Sequence, residues 1–195
     1  MEQTKSVTLG ILLMLAFAII GPLIDLFAKL AAQEVPIGQI ILSRFILQAF
    51  ILLPVAIFMS WAHKPDFSEI RLHFVRALLI LIGTGSFVSA IKYMPLADAM
   101  AIFFVEPFII TLLGGVVLGE TVGYRRLIAC LIGFLGALFI IKPSFSLFGS
   151  VALLPLLTAF SFTFYIFLTR KMAQNMKPVT LQAYTALAAV ILLLP

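Results

Sequence analysis

The chain has 195 residues, of which 63% are hydrophobic and 11% charged, with a net charge of +5 and a mean hydropathy of +1.21. A soluble domain of this length has no core large enough to hide so many apolar runs close to the ~20 residues a spanning helix needs, so composition excludes a water-soluble protein and predicts an integral membrane protein. The basic surplus matches topogenesis and anionic headgroups; no segment interleaves bases with aromatics as a nucleic-acid groove would, and no nucleic-acid partner is expected.

Apolar runs between polar breaks predict seven spans, near residues 7 to 30, 38 to 61, 71 to 92, 95 to 118, 124 to 141, 149 to 169 and 178 to 195. They are too long for barrel strands and do not alternate, so the fold class is an all-α polytopic membrane protein. The first run follows Lys5 and continues through Gly21 and Pro22 to Asp25 and Lys29 without a small-x-small cleavage site, which predicts a retained helix and not a signal peptide. The breaks are short: QEVPIG at 33 to 38, HKPDFSEIR at 63 to 71, KYMP at 92 to 95, ETVGYRR at 120 to 126, KPSF at 142 to 145 and RKMAQNMKP at 170 to 178. With the N-terminus inside, Lys5, Lys64, Arg71, Arg76, Arg125, Arg126, Arg170, Lys171 and Lys177 are cytoplasmic, against Lys29, Lys92 and Lys142 outside. Nine against three predicts a cytoplasmic N-terminus in the plasma membrane, or in the inner membrane of a Gram-negative cell. The single cysteine, Cys130, excludes an intrachain disulfide and a cysteine metal cluster, and neither metal nor cofactor is expected.

Charges inside spans need a partner, a wet cavity or a function, since an ionised side chain near the bilayer centre costs about 2.5–3.5 kcal/mol on insertion scales. Asp25, Arg44 and Asp98 all fall within about 10 Å of the outer boundary at 1.5 Å per residue, and Arg44 is expected to pair with Asp25 or Asp98, as a static strut or as part of a gate. Glu106 lies near the middle of the fourth span, out of reach of either surface. Pro107 follows it, lacks an amide hydrogen and leaves the Phe103 carbonyl without its usual donor, so the span is expected to bend there. The residues proposed for substrate or proton coupling are Glu106, Asp98, Arg44 and Asp25; the cavity-lining candidates are Phe103, Pro107, Tyr93 and Tyr165, for which lipid-facing or packing roles are the plain alternative. Glu120 with Arg125 and Arg126 is read as an interfacial pair. The stripes Ala129-Gly133-Ala137 and Gly115-Gly119 are read as close-packing surfaces, within the chain or between copies. Gly83-Thr84-Gly85-Ser86 lacks the rest of a phosphate-loop pattern and lies inside a span.

Residues 10 to 39 match 149 to 182 weakly, placing Lys29 on Lys171, Pro36 on Pro178 and Pro54 near Pro195. A repeat of five helices is odd, so its second copy is inverted. The stretch from Arg76 to Pro143, with its P-x-A-x-A-x-x-x-x-x-x-x-P run at 95 to 107 and its Gly119-Glu120 pair, resembles the third to fifth helices of an EamA-type member of the drug/metabolite transporter superfamily, and LSRFILQAFILLP at 42 to 54 resembles its second helix. Within the superfamily the chain is most similar to S-adenosylmethionine uptake-type sequences. The resemblance implies two inverted five-helix repeats, here 1–143 complete and 144–195 begun. It also implies alternating access for a small polar or amphipathic metabolite. The chain stops three helices short of the ten implied, so a longer protein, a homodimer or a partner supplying the missing helices is expected. An intramembrane enzyme, such as an acyltransferase, would need a nucleophile and base or metal ligands in one pocket. Both histidines, His63 and His73, are placed in or beside one cytoplasmic loop, and no catalytic residue is predicted. A non-transporting scaffold is the third class, and it predicts no penalty for Glu106→Gln.

Overall fold

A computed structural model of the chain describes residues 2–62, 64–117, 123–141 and 148–194. His63, Gly119, Glu120 and Lys142 lie outside the described residues, as do the side chains of Gly115, Arg126 and Ala137. All regular structure in the described residues is helical. Helix α1 spans Glu2–Glu34, α2 Ile37–Phe58, α3 Phe67–Tyr93, α4 Leu96–Phe103, α5 Glu106–Val117 and α6 Tyr124–Ile141; after a 3₁₀ turn at Gly149–Ala152 come α7, Leu153–Met172, and α8, Pro178–Leu193. Five helical stretches are long and apolar enough to cross a membrane, Thr8–Glu34, Ile37–Phe58, Phe67–Tyr93, Leu96–Gly114 and Gly149–Met172, and shorter apolar helices cover Leu127–Gly136 and Pro178–Leu193. These coincide with the seven predicted spans.

Prolines and one capping box set the boundaries. Pro36 and Pro95 force the residue before them out of the helical region and pre-set φ for the helix that follows, so α2 and α4 each begin on the next residue. Pro178 occupies the first turn of α8, where its missing amide hydrogen costs nothing. Helix α3 starts four residues before the predicted 71 because Asp66 Oδ1 accepts from the Glu69 amide at 2.7 Å while Glu69 Oε2 accepts from the Asp66 amide at 3.2 Å. Losing such a cap costs about 1 kcal/mol.

The most extensive pairings are α3 with α7 and α2 with α8. One end of the bundle, here the near end, carries the α2–α3 and α7–α8 connections, joined where Thr180 Oγ1 donates to the Trp61 carbonyl at 3.2 Å. The far end carries the α1–α2 and α3–α4 connections. There Phe87, Ile91, Met94, Ala99, Ile102 and Ala152 form an apolar cluster, and Lys29 Nζ donates to the Met94 carbonyl at 2.8 Å. Buried alanines on α2, α3 and α8, among them Ala49, Ala77, Ala186 and Ala189, let these backbones approach closely. In contrast, Thr8–Ile20 of α1 is exposed throughout. In α6, Ala129 is exposed and a Cβ at Gly133 would meet nothing within 4 Å, so this part of the predicted packing stripe packs against no other described residue.

Gly83 marks the closest approach of α3 and α7. A Cβ there would lie 3.4 Å from Ser161 Cβ and 3.5 Å from the Phe162 ring, and Thr158 Oγ1 reaches across to the Gly83 carbonyl at 3.1 Å. Gly83→Leu is expected to destabilise the protein by about 1–3 kcal/mol through overpacking, seen as a lower thermal unfolding midpoint in detergent, whereas Gly133→Leu is expected to leave it unchanged. Equal midpoints for the two variants would remove Gly83 from the helix contact.

Candidate functional site

Arg76 lies on the third turn of α3, about 14 Å from the helix start at 1.5 Å per residue, and its side chain is 0% exposed. It is not the cytoplasmic loop residue that the basic tally assumed. Apolar neighbours on α3 draw the position into the bundle, and the guanidinium finds acceptors on two other helices. Arg76 Nε donates to Thr169 Oγ1 of α7 at 3.2 Å, and Nη2 donates to the Tyr165 hydroxyl, also of α7, at 3.0 Å. Nη1 donates to the Leu181 carbonyl of α8 at 3.1 Å and to Thr185 Oγ1. The guanidinium carbon stands 4.7 Å from the Tyr165 ring centroid, a cation–π contact.

The hydroxyls around Arg76 have one consistent proton order. Each has a single proton and passes it on: Thr169 Oγ1 to the Tyr165 carbonyl at 2.6 Å, Thr185 Oγ1 to the Leu181 carbonyl at 2.8 Å, and the Tyr165 hydroxyl to Gln182 Oε1 at 2.8 Å. His73, one turn before Arg76 on the same face, places Nδ1 3.3 Å from Thr185 Oγ1. With the Thr185 proton committed, Nδ1 is the donor in that pair. His73 is therefore a buried member of a helix cluster, not a residue beside a loop, and its ring meets Tyr184 edge-on at 5.5 Å. All these acceptors are neutral, and no carboxylate pairs with Arg76 among the described residues. No group of three or more His, Cys, Asp or Glu side chains that would hold a metal ion occurs among the described residues.

A row of aromatic rings runs from this cluster toward the middle of the bundle. Tyr165 meets Phe162 at 6.4 Å between centroids, Phe162 meets Phe103 at 5.9 Å, and Phe103 meets Phe87 at 5.9 Å, each edge to face. Phe103 is the last residue of α4. The bend predicted from Pro107 is a two-residue interruption: the Phe104 amide keeps its bond to Met100 O at 2.9 Å, the Val105 amide shortens to Ile102 O at 3.2 Å, and α5 restarts at Glu106. The Glu106 side chain is half-buried and makes no hydrogen bond or ion pair among the described residues. Thr111 Oγ1 then accommodates its proton on the Pro107 carbonyl at 2.8 Å.

The remaining predicted residues are dispersed. Tyr93 is 65% exposed at the far end of α3 and Pro107 is exposed, so neither joins the row formed by Phe103 and Tyr165. Asp25 and Asp98 are half-buried on α1 and α4. Arg44 is exposed, and the expected ion pair with Asp25 or Asp98 does not form within 4.0 Å among the described residues; Arg44 and Asp25 interact only through space. Arg44 lies seven residues into α2 and is exposed among the described residues. Sequence reasoning missed Arg76, His73, Phe162 and Gln182. One signal was present: His73 and Arg76, at i and i+3, share a helix face inside an apolar run, where a lone basic residue is costly.

The model of the EamA-like transporter family matches residues 8–142. A protein named riboflavin transporter from Vibrio cholerae is 27% identical over 176 residues, covering 89% of this chain and 58% of that protein. Another riboflavin transporter, from Brucella anthropi, is 31% identical over 117 residues, covering 60% of this chain and 41% of its own length. A protein named S-adenosylmethionine uptake transporter from Rickettsia prowazekii is 22% identical over 194 residues, covering 100% of this chain and 66% of its length. The chain thus spans less than two thirds of these relatives. No solved structure matches it. This multi-pass membrane chain belongs to the EamA-like transporter family.

Proposed function

We propose that the chain moves a small metabolite built on a flat nitrogen heteroaromatic ring across the plasma membrane by alternating access, with the ring handled by the row from Phe103 to Tyr165. The observation that carries this reading is the row itself, which joins the break in the fourth span to a buried polar cluster. Rings set edge to face can re-pair with a planar ligand at similar energy, since such contacts are worth about 0.5–1.5 kcal/mol each. Riboflavin and S-adenosylmethionine, the compounds in the relatives' names, both contain a fused nitrogen heteroaromatic ring, which supports the substrate class. We read residues 1–143 as a first repeat and 144–195 as the opening of an inverted second, because α1–α2 and α7–α8 are each hairpins whose second helix starts at a proline, Pro36 and Pro178. In this reading the near end is cytoplasmic, and the exposed faces of α1 and α6 are covered by further helices of a ten-helix assembly or by a partner copy.

Phe103→Ala and Phe162→Ala are each expected to weaken binding of riboflavin, followed by quenching of its fluorescence on the purified protein, by about 2- to 10-fold. Phe139→Ala, at a site 78% exposed, is expected to have no effect. Unchanged binding in the first two variants would detach the row from the substrate. Glu106 is the proposed coupling group, sited at the helix break with no hydrogen-bond or ion-pair partner among the described residues. Glu106→Gln is expected to insert normally while flux in proteoliposomes loses its response to an imposed pH gradient; a wild-type response would return Glu106 to a structural role. For orientation, Lys64→Cys in a Cys130→Ser background is expected to resist an impermeant maleimide outside intact cells and to react after permeabilisation, and labelling from outside would invert the topology.

A further inference from the structure

Arg76 is the strongest unexplained charge in the molecule. Its side chain is wholly buried, it donates four hydrogen bonds to neutral oxygens, and no acidic group faces it from α7 or α8 among the described residues. Neutral acceptors satisfy donors but leave the net positive charge in place, and a low-dielectric interior holds such a charge at a lasting cost until an anion joins it. A guanidinium has five N–H groups. Nε and Nη1 are engaged, and Nη2 makes one bond, to Tyr165, so one Nη2 proton has no acceptor among the described residues. Nη2 is also the nitrogen turned to Tyr165, the end of the aromatic row, whose ring covers the guanidinium at 4.7 Å and whose hydroxyl has a second partner in Gln182.

We propose that Arg76 is a specificity-determining residue that binds an anionic oxygen acid, a carboxylate or a phosphate, carried on the tail of the ring-bearing substrate. This rests on the reading of the aromatic row as the ring's path. The anion takes the place of the Tyr165 hydroxyl on Nη2. Tyr165 falls back on Gln182, while the bonds to Thr169, Leu181 and Thr185 keep the guanidinium in position. Ring and anion are then recognised at the two ends of one continuous surface. A neutral ligand with the same ring lacks the second contact and leaves the buried charge uncompensated.

The test uses two matched pairs on the purified full chain in lipid nanodiscs. Riboflavin and riboflavin 5′-phosphate share a ring and differ by a phosphate; adenosine and adenosine-5′-carboxylic acid share a ring and differ by a carboxylate. In at least one pair the anionic member is expected to bind about tenfold or more tightly. Arg76→Gln is expected to abolish that preference while keeping the affinity for the neutral ring compound. Tyr165→Phe, which removes the competing hydroxyl and leaves the ring, is expected to strengthen binding of the anionic member severalfold, a gain that a merely structural Arg76 would not give and that stays measurable if Arg76→Gln fails to fold. Ring binding with no anion preference in either pair, or a Tyr165→Phe variant that binds the anionic member no better, overturns the Arg76 assignment and leaves the proposed function standing. Failure of every ring compound to bind overturns both.

Discussion

A guanidinium inside a membrane protein must place its N–H groups on acceptors, and Arg76 does so by drawing three helices to one point. On insertion scales the charge costs about 2.5–3.5 kcal/mol near the bilayer centre, whereas hydrogen bonds to a charged group contribute about 1.5–3 kcal/mol each. Two such bonds already match the penalty, and the four together fix the rotation of α7 through Thr169 and Tyr165 and of α8 through Leu181 and Thr185. The small residues that let α3 and α7 close up at Gly83 serve the same geometry, because a bulkier contact there would move Tyr165 away from Nη2.

The two ends of the bundle are built on different chemistry. At the far end Lys29 holds the α3–α4 connection by a single bond to a backbone carbonyl, above an apolar cluster. At the near end a proton-ordered network ties α3 to the α7–α8 hairpin. Between them lies the break at Phe104 and Val105, where the span between Leu96 and Gly114 departs from regular hydrogen bonding at the Val105 amide. Helix ends exposed in this way persist in membranes where they border a cavity or protein, and here they stand beside both Phe103 and Glu106.

The spans were legible because an apolar run of given length has one solution in a bilayer, and the helix break was legible because proline cannot donate a hydrogen bond. Position along a helix was legible too, since rise per residue is constant. Rotation about the helix axis was not: whether Arg44 faces Asp25 or away depends on which side of α2 meets α8, a contact between residues far apart in sequence. Arg76 was misplaced for a related reason. A tally by loop treats every basic residue near a span end as interfacial, while the DFSE capping box at 66 to 69 starts α3 early and carries Arg76 deep into the bundle. Tyr165 and Phe103 were singled out separately, and the ring that links them, Phe162, had no local mark among 19 phenylalanines.

The Arg76 network has a history as well as a geometry. Its partners lie 89 to 109 residues later in the chain, and synthesis proceeds at about 5–20 residues per second. For roughly 5 to 20 seconds after α3 leaves the ribosome, the acceptors on α7 and α8 do not yet exist. During that interval the headgroups are the acceptors that a long basic side chain on α3 can reach. Arrival of the α7–α8 hairpin supplies the missing acceptors, so the setting of the third helix depends on two helices made after it.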